Sequence, residues 1–399
     1  MKKVSLAFGV LASAAAVIAV FAGTGTAGSA ATPPKNLSAQ CKNPQLAVMA
    51  PITGPAATIG REQRNWAKYA VDNFNAADEN EGQRARLIEF DTQLDPARAS
   101  TAAQRIASNA NILGVVGPAG SQEVKAVAPA FKKAGITYVS GSATATDLTK
   151  APRSGGPTFF RVVPNDAVQG PTIARYIRTV LKPTEVWVID DQTSYGQPLA
   201  ASVAANLRAN KVKVTRESVG RDDTDFSSIV TRIPSGGRVI VVMAHQIAAN
   251  AQIFGTQLKE QGKTATIFGT DGLFSGDFKI NGSYVSSFAP DIRNITSSRR
   301  FVTGYFKKFG KNAPLGTFGP PSYVAAQVLL NAISQSCTTG RADGNVNRAE
   351  VLKYTKQTLI RSSILGFNIS FDARGDVRGA KFFIFRVEGG KFVLVPNQG

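Results

Sequence analysis

The stretch GVVGPAGSQEVKAVAPAFKKAGITYVSGSATATDLT, residues 114–149, decides the fold class. Residues 121–134 have apolar side chains at helical spacing, and Gly135 is a typical residue just after a helix end. Continuous apolar runs at 111–117 and 136–140 predict buried strands on either side of this helix. A strand, a helix and a second strand in close succession indicate a parallel sheet covered by helices.

The same alternation continues along the chain and predicts two α/β units. At 399 residues the chain is too long for one ordinary hydrophobic core. One series of strands precedes residue 141 and a second series follows it, with helices between them. The further predicted strands are 45–52, 85–91, 185–190, 212–219, 238–245 and 264–271, and the last segment, 381–395, resembles a hairpin.

Two polar loops follow neighbouring strands and should meet at one edge of the first sheet. Ser121 is predicted to cap the helix that begins there, and Ser142 and Thr144 lie in the next loop, 140–149. The start of a helix favours an anion by roughly 0.3–1 kcal/mol. Hydroxyls and amides without Lys or Arg suit a carboxylate better than a phosphate. A helix cap with nothing bound is the alternative interpretation.

Several kinds of chemistry have little support in the sequence. His245 is the only histidine, and no G-x-S-x-G motif supplies a serine nucleophile for it. One histidine and two distant cysteines do not predict a metal site. The Gly-Lys-Thr of residues 262–264 lacks the earlier glycine of a phosphate-binding loop, since Gln257 stands there. We therefore predict a protein that is not an enzyme and needs no cofactor or metal.

Residues 1–30 have the order of a secretory signal peptide. Two lysines precede an apolar run from Val4 to Ala22, and small residues follow it. The run approaches the ~20 residues that span a bilayer, so a membrane anchor is the alternative. The small residues favour cleavage near Ala30 or Ala31 and export to the periplasm or beyond.

The two cysteines, Cys41 and Cys337, both follow the predicted cleavage site. An oxidising compartment would allow them to form one disulfide. Lipid modification of Cys41 is the rival interpretation, but Cys41 lies well past the apolar run and has no leucine three residues before it.

The chain carries 46 Lys and Arg against 27 Asp and Glu, a formal charge of +19. Such a charge raises nucleic-acid binding as a hypothesis. The basic residues are scattered as singles and pairs, however, and export would remove most nucleic acid from reach. A solvated basic surface facing an anionic envelope is the interpretation that we favour.

Several segments together resemble the periplasmic leucine/isoleucine/valine-binding proteins of ABC transporters. The resemblance covers essentially the whole chain after the signal segment, in order. It is carried by residues 114–149 and by FFRVVPNDAVQGPTIARYI (159–177), DDQTSYGQPLA (190–200), APITGPAATIGREQRNWAKYAVDNFNA (50–76), GTDGLFS (269–275) and FDARGDVRG (371–379).

The resemblance implies a type I periplasmic-binding fold, with two doubly wound parallel-sheet lobes joined by a three-strand hinge. The crossovers would lie near residues 165, 288 and 361. The first lobe would comprise 42–165 with 289–361, and the second lobe 166–288 with 362–399. A small-molecule ligand would bind between the lobes by hinge closure, and the closed form would deliver it to the membrane subunits of an ABC permease.

The resemblance also implies roles for individual residues. In the family, the serine and the Ser-Ala-Thr loop hold the α-carboxylate of the ligand, an acidic residue holds its α-ammonium, and an aromatic residue closes over it. The matching residues here are Ser121, Ser142, Ala143 and Thr144 for the carboxylate, Asp271 for the ammonium and Tyr195 for the closing aromatic.

This sequence departs from the family pattern at Asp271, where the family usually has Glu, and at Ile59, where a large aromatic is known. His245 stands where an aromatic or small residue is common; it is either a pocket residue or a packed neutral side chain. Phe318 is expected in the core more than in the pocket. The exact ligand therefore stays open: amides, short carboxylates and aromatic acids are alternatives to an amino acid, and a ligand sensor for a membrane receptor is the alternative to transport.

Overall fold

The computed structural model describes residues 44–77, 84–339 and 348–396. The predicted signal peptide and Cys41 lie outside these residues. In the described part of the chain, the strands named below form two sheets, one of five strands and one of seven.

The first sheet is entirely parallel, with strand order β2-β1-β3-β4-β5. Its strands are β1 (Gln45–Ala50), β2 (Arg86–Asp91), β3 (Ile112–Val116), β4 (Thr137–Ser140) and β5 (Phe159–Arg161). The helices between them are α1 (Ala57–Ala76), α2 (Pro96–Ser108) and α3 (Ser121–Ala134).

The second sheet begins after α4 (Asp166–Tyr176), which a π-helical turn extends over Ile177–Leu181. Its strands are β6 (Glu185–Asp190), β7 (Val214–Ser218), β8 (Val239–Ala244), β9 (Thr266–Gly269), β10 (Tyr284–Ser287), β11 (Phe383–Glu388) and β12 (Lys391–Leu394). The strand order is β12-β11-β10-β9-β8-β6-β7. Strands β11 and β12 are antiparallel to their neighbours. The helices α5 (Gly196–Ala209), α6 (Ser227–Arg232) and α7 (Ala248–Glu260) connect β6 to β9.

The chain returns to the first sheet between β10 and β11. This segment contains α8 (Arg299–Phe309), α9 (Gly319–Thr339) and α10 (Arg348–Lys356). Helix α9 contacts α1, β3 and β4, and α10 contacts α9. Cys337 lies on α9 and is buried, whereas its predicted disulfide partner is outside the described residues.

Both sheets are covered on both faces, as a doubly wound fold requires. In β1, Leu46 and Val48 join one buried cluster while Ala47 and Met49 join another on the opposite face. Strand side chains alternate between faces, so a strand buried on both faces reads as a continuous apolar run. The predicted fold class, with two parallel α/β units, is confirmed.

The elements agree with the sequence predictions to within a few residues, apart from two strands. The prediction of α3 over 121–134 is matched at both ends, and Gly135 has the left-handed φ of 65° that ends the helix. The hairpin of β11 and β12 turns at Gly389 and Gly390, both with positive φ. Strands β5 and β10 were not predicted.

Among the described residues, no helix is both long enough and apolar enough to cross a membrane.

Candidate functional site

A cavity lies where the carboxyl ends of strands from the two sheets face each other. Including its mouth, it measures about 350 Å³. Ligands of parallel α/β sheets commonly bind at this edge. The residues that line the cavity are Ile59, Leu94, Ala119, Gly120, Ser121, Ser142, Tyr195, Gln246, Asp271, Gly272 and Phe318.

The start of α3 forms one wall, but Ser121 is not its cap. The capping residue is Gly120, whose N–H donates to Glu123 Oε2 at 2.7 Å. Ser121 is the first residue of the helix, and its Oγ accepts a hydrogen bond from Ala145 N at 3.2 Å. The N-cap prediction was wrong because the Glu123 carboxyl, one turn further on, reaches back to the loop. The Ser121 hydroxyl keeps its proton to donate towards the cavity.

The loop after β4 places its predicted residues at different depths. Ser142 lines the cavity, yet its hydroxyl already donates to Ala119 O at 2.9 Å and accepts from Gln63 Nε2 at 2.8 Å. Ala143 and Thr144 are buried and do not line the cavity. The structure therefore brings only Ser142 of this loop to the cavity wall beside Ser121.

The opposite wall carries Asp271 and Tyr195. Asp271 follows β9, and its Oδ1 accepts from Tyr195 Oη at 2.7 Å and from Gln169 Nε2 at 2.7 Å. The backbone N–H of Gly272 donates to Tyr195 Oη at 3.3 Å. Burial raises the pKa of Asp271 to about 6, although the bonds from Tyr195 and Gln169 oppose the shift. Asp271 and Tyr195 thus form one acidic, hydrogen-bonded unit.

A second carboxyl group, Asp166, lies close to this unit and was not predicted. It is the first residue of α4 and is buried, and no hydrogen-bond partner for either carboxyl oxygen occurs among the described residues. Burial raises the pKa of Asp166 well above its usual value, and the charge of Asp271 is the second largest cause of this shift. The Thr144 hydroxyl is nearby and opposes this shift. A cationic group bound at Asp271 would balance the charge of that carboxylate and so lower the pKa of Asp271.

The rest of the wall is mainly apolar. Ile59, Leu94 and Phe318 are buried at the cavity, and none of the described residues that line it is a Lys or Arg. Phe318 was expected in the core; it is buried but also lines the cavity. The arrangement offers hydroxyl and amide donors at one side, an acidic unit at the other and an apolar surface between.

His245 does not line the cavity. It follows β8 and is 1% exposed, and its Nδ1 accepts from Ile247 N at 3.0 Å. Nδ1 acts as an acceptor, so the ring carries its proton on Nε2, for which the described residues offer no partner. Burial lowers the pKa of His245, although Asp191 opposes the shift. The geometry places His245 behind the wall as a packed neutral side chain.

Four residues at or near the cavity were not predicted from the sequence: Leu94, Asp166, Gln246 and Gly272. The position of two of them in the sequence could have indicated a place at the cavity. Asp166 follows β5 and Gln246 follows β8, at the same sheet edges as the predicted residues. Gly272 is required sterically, because a Cβ there would lie 2.4 Å from His245 O. Leu94 carries no pattern that separates it from a core leucine.

Comparisons with known proteins find relatives that match most of the chain. The Leu/Ile/Val-binding protein BraC3 of Rhizobium johnstonii is 28% identical over 351 residues, which cover 87% of this chain and 92% of the relative. The amino acid binding protein of Pseudomonas aeruginosa is 27% identical over 362 residues, covering 88% of this chain and 92% of the relative.

Solved structures show the same fold. The leucine binding protein LivK from Thermotoga maritima has a TM-score of 0.77 at 20% identity, covering 88% of this chain and 98% of its own. The branched-chain amino acid transporter substrate binding protein LivJ from Streptococcus pneumoniae, solved with isoleucine, has a TM-score of 0.75 at 24% identity, covering 89% and 99%. The sequence model of the periplasmic binding protein family matches residues 44–391, which is most of the chain. The chain therefore belongs to the periplasmic binding protein family, and its fold is of type I.

Proposed function

We propose that the protein is an extracytoplasmic solute-binding protein of an ABC importer and that it binds an amino acid in the cavity between its lobes. The observation that carries this proposal is the pairing of opposite chemistries across one cavity. Ser121 and the start of α3 offer donors for a carboxylate, and Asp271 with Tyr195 offers acceptors for an ammonium group. Relatives named as Leu/Ile/Val-binding proteins support an aliphatic amino acid.

The proposed mechanism is closure of two lobes about a hinge. The first lobe, residues 42–165 with 289–361, would take the carboxylate at Ser121. The second lobe, 166–288 with 362–399, would then bring Asp271 and Tyr195 over the ammonium group. Asp166 begins the second lobe, and the charge of Asp271 acts on its carboxyl, so a bound ammonium group would favour the ionised form of both. A membrane permease would recognise the closed form.

The apolar wall supports a short aliphatic side chain. Ile59, Leu94 and Phe318 together would cover such a side chain without offering it a hydrogen-bond partner. Export through a cleaved signal peptide, residues 1–30, belongs to the same proposal, since an importer collects its ligand outside the cytoplasm.

The test is a panel of amino acids, their des-amino analogues, amides and aromatic acids, screened by thermal shift and then measured by calorimetry. Asp271→Asn leaves a buried ammonium without its counter-charge, so we expect an affinity loss of about 2–4 kcal/mol, roughly thirty- to a thousandfold. Ser121→Ala removes one donor among several and should lose only about 1–2 kcal/mol.

The matched control is Asp277→Asn, which changes the same residue type at an exposed position six residues further on. We expect its affinity to equal that of the unaltered protein. A best ligand without an amine, or an Asp271→Asn variant that binds as tightly as the unaltered protein, contradicts the amino-acid proposal and favours a carboxylate or amide ligand.

A further inference from the structure

Beside the cavity, two glutamine side chains join the two lobes. Gln122 lies on α3 of the first lobe, and Gln246 follows β8 of the second. Gln122 Nε2 donates to Gln246 Oε1 at 2.8 Å, and Gln246 Nε2 donates to Gln122 Oε1 at 3.1 Å. Each amide is donor and acceptor to the other, so the pair forms only when both side chains lie face to face.

The second-lobe partner is held firmly in place. Gln246 Nε2 also donates to Thr193 Oγ1 at 2.8 Å, and the backbone N–H of Gln246 donates to Asp191 Oδ2 at 2.9 Å. Gln246 is 7% exposed and lines the cavity. Because its position is fixed by its own lobe, its bond to Gln122 reports on the distance between the lobes.

A second contact crosses between the lobes at the same place. Arg221 Nη1 of the second lobe donates to Leu94 O of the first at 3.3 Å, and Gln122 Nε2 lies 3.4 Å from the same oxygen. The side chain of Leu94 lines the cavity. One residue therefore contacts the opposite lobe with its carbonyl and the cavity with its side chain.

The backbone on both sides of this contact is strained. Leu94 has φ of 59°, Gln93 has φ of 52°, and on the second lobe Gln192, next to Thr193, has φ of 58°. Residues other than glycine rarely adopt this left-handed region, and such strain concentrates at functional positions. Three such residues therefore lie beside the contact between the lobes.

We propose that Leu94, Gln122, Arg221 and Gln246 form an interlobe clasp that holds the cleft closed over a bound ligand and sets the rate at which the ligand leaves. The inference rests on the proposed function, since it needs a ligand between the lobes. Gln122 does not line the cavity, so its contribution acts through closure and not through a contact with the ligand.

The decisive variant is Gln122→Ala, measured by stopped-flow binding with the best amino acid of the panel. Loss of the two amide bonds should raise the dissociation rate about three- to thirtyfold, with the association rate nearly unchanged. Because Gln122 does not touch the ligand, the same factor is expected for each amino acid that binds. Gln104→Ala, at an exposed position of α2 in the same lobe, is the matched control and should leave both rates unchanged.

A double-mutant cycle with Gln246→Ala isolates the pair from any contact between Gln246 and the ligand. We expect the double variant to dissociate little faster than Gln246→Ala alone, because the amide pair is already lost and only the longer contact of Gln122 with Leu94 O, at 3.4 Å, remains to be removed. Independent effects of the two substitutions, or an unchanged dissociation rate in Gln122→Ala, overturn the clasp while leaving amino-acid binding intact. An unaltered protein that binds no member of the panel overturns the proposed function, and the clasp with it.

Discussion

Asp271, the proposed ammonium ligand, is almost fully buried. The residue is 3% exposed, and burial raises its pKa to about 6. Asp166 is buried as well, and burial and the charge of Asp271 raise its pKa well above the usual value of an aspartate. Because the charge of Asp271 acts on Asp166, the two carboxyls titrate as a coupled pair, and burial keeps protons on the pair to a higher pH than usual. We therefore expect a bound ammonium group to displace protons from these two carboxyls.

We expect affinity for an amino acid to increase as the pH rises through about 6. A protonated Asp271 cannot balance an ammonium charge, so binding should be about tenfold weaker near pH 5 than near pH 7. Calorimetry across this range, in buffers of different ionisation enthalpy, measures both the affinity and the protons released. In Asp271→Asn the pH dependence should become shallower.

His245 provides the control experiment for this pH dependence, because it is another titratable side chain that could cause it. Burial lowers its pKa below the ordinary histidine value, and the residue does not line the cavity. His245→Gln should therefore keep the pH profile of the unaltered protein. A profile that is flat in the unaltered protein, or that disappears in His245→Gln, contradicts the assignment to Asp271.

At the scale of elements, the sequence predicts strands with a continuous apolar run and amphipathic helices well, and strands without such a run poorly. Strand β6 and helix α3 were predicted with the bounds that the structure shows, because each has a complete apolar pattern with clear ends. Strand β5 (FFR) ends in an arginine and β10 (YVSS) in two serines, so neither forms an apolar run of the length that predicts a strand. Both are specified by their neighbours in the sheet and not by their own residues.

The residues of the cavity were also only partly predicted from the sequence. Ser121, Asp271 and Tyr195 were predicted because resemblance to a known family singles them out, and the structure places all three on one cavity. Leu94 and Gln246 were not predicted, since a leucine and a glutamine after a strand are common in any fold. Their role depends on how two distant segments of the chain meet, which local sequence does not record.

Strand β5 shows how an element that the sequence did not predict supports the site. Its last residue, Arg161, is fully buried, and Nε donates to Asp376 Oδ1 at 2.6 Å. Arg161 Nη1 donates to Ala143 O at 3.2 Å and to Ala145 O at 2.8 Å. The guanidinium thus ties the loop after β4 to the C-terminal segment that contains Asp376.

We expect Asp376→Asn to destabilise the protein strongly. The substitution leaves the Arg161 guanidinium buried without its counter-charge, which lowers the free energy of unfolding by about 3–5 kcal/mol. Urea denaturation measures the change. Glu388→Gln, at an exposed ion pair with Arg386, is the matched control and should change it by less than about 1 kcal/mol. Equal effects of the two substitutions would show that the buried pair is no more important than the exposed one.

At the scale of the whole molecule, each lobe is built from segments that are distant in the sequence. Helix α9 follows β10 of the second sheet in the chain, yet it packs on β3 and β4 of the first. Strand β11 then returns to pair with β10. The hinge is therefore crossed more than once, and the relative motion of the lobes is constrained by several parallel connections, which favours one closing motion over free rotation.

The proposed disulfide between Cys41 and Cys337 would act within one lobe. Cys337 is 2% exposed on α9, and Cys41 precedes β1, a strand that α9 contacts. A crosslink there restricts the unfolded chain and leaves the hinge unrestrained, so reduction should lower the free energy of unfolding by about 2–5 kcal/mol without changing ligand affinity.

Peptide mapping of exported protein under non-reducing conditions detects the disulfide, and urea denaturation with and without reductant measures its effect on the free energy of unfolding. A Cys41→Ser variant should show no response to reductant. Two free thiols in the exported protein, or an affinity that changes on reduction, would show that the cysteines do not brace a single lobe.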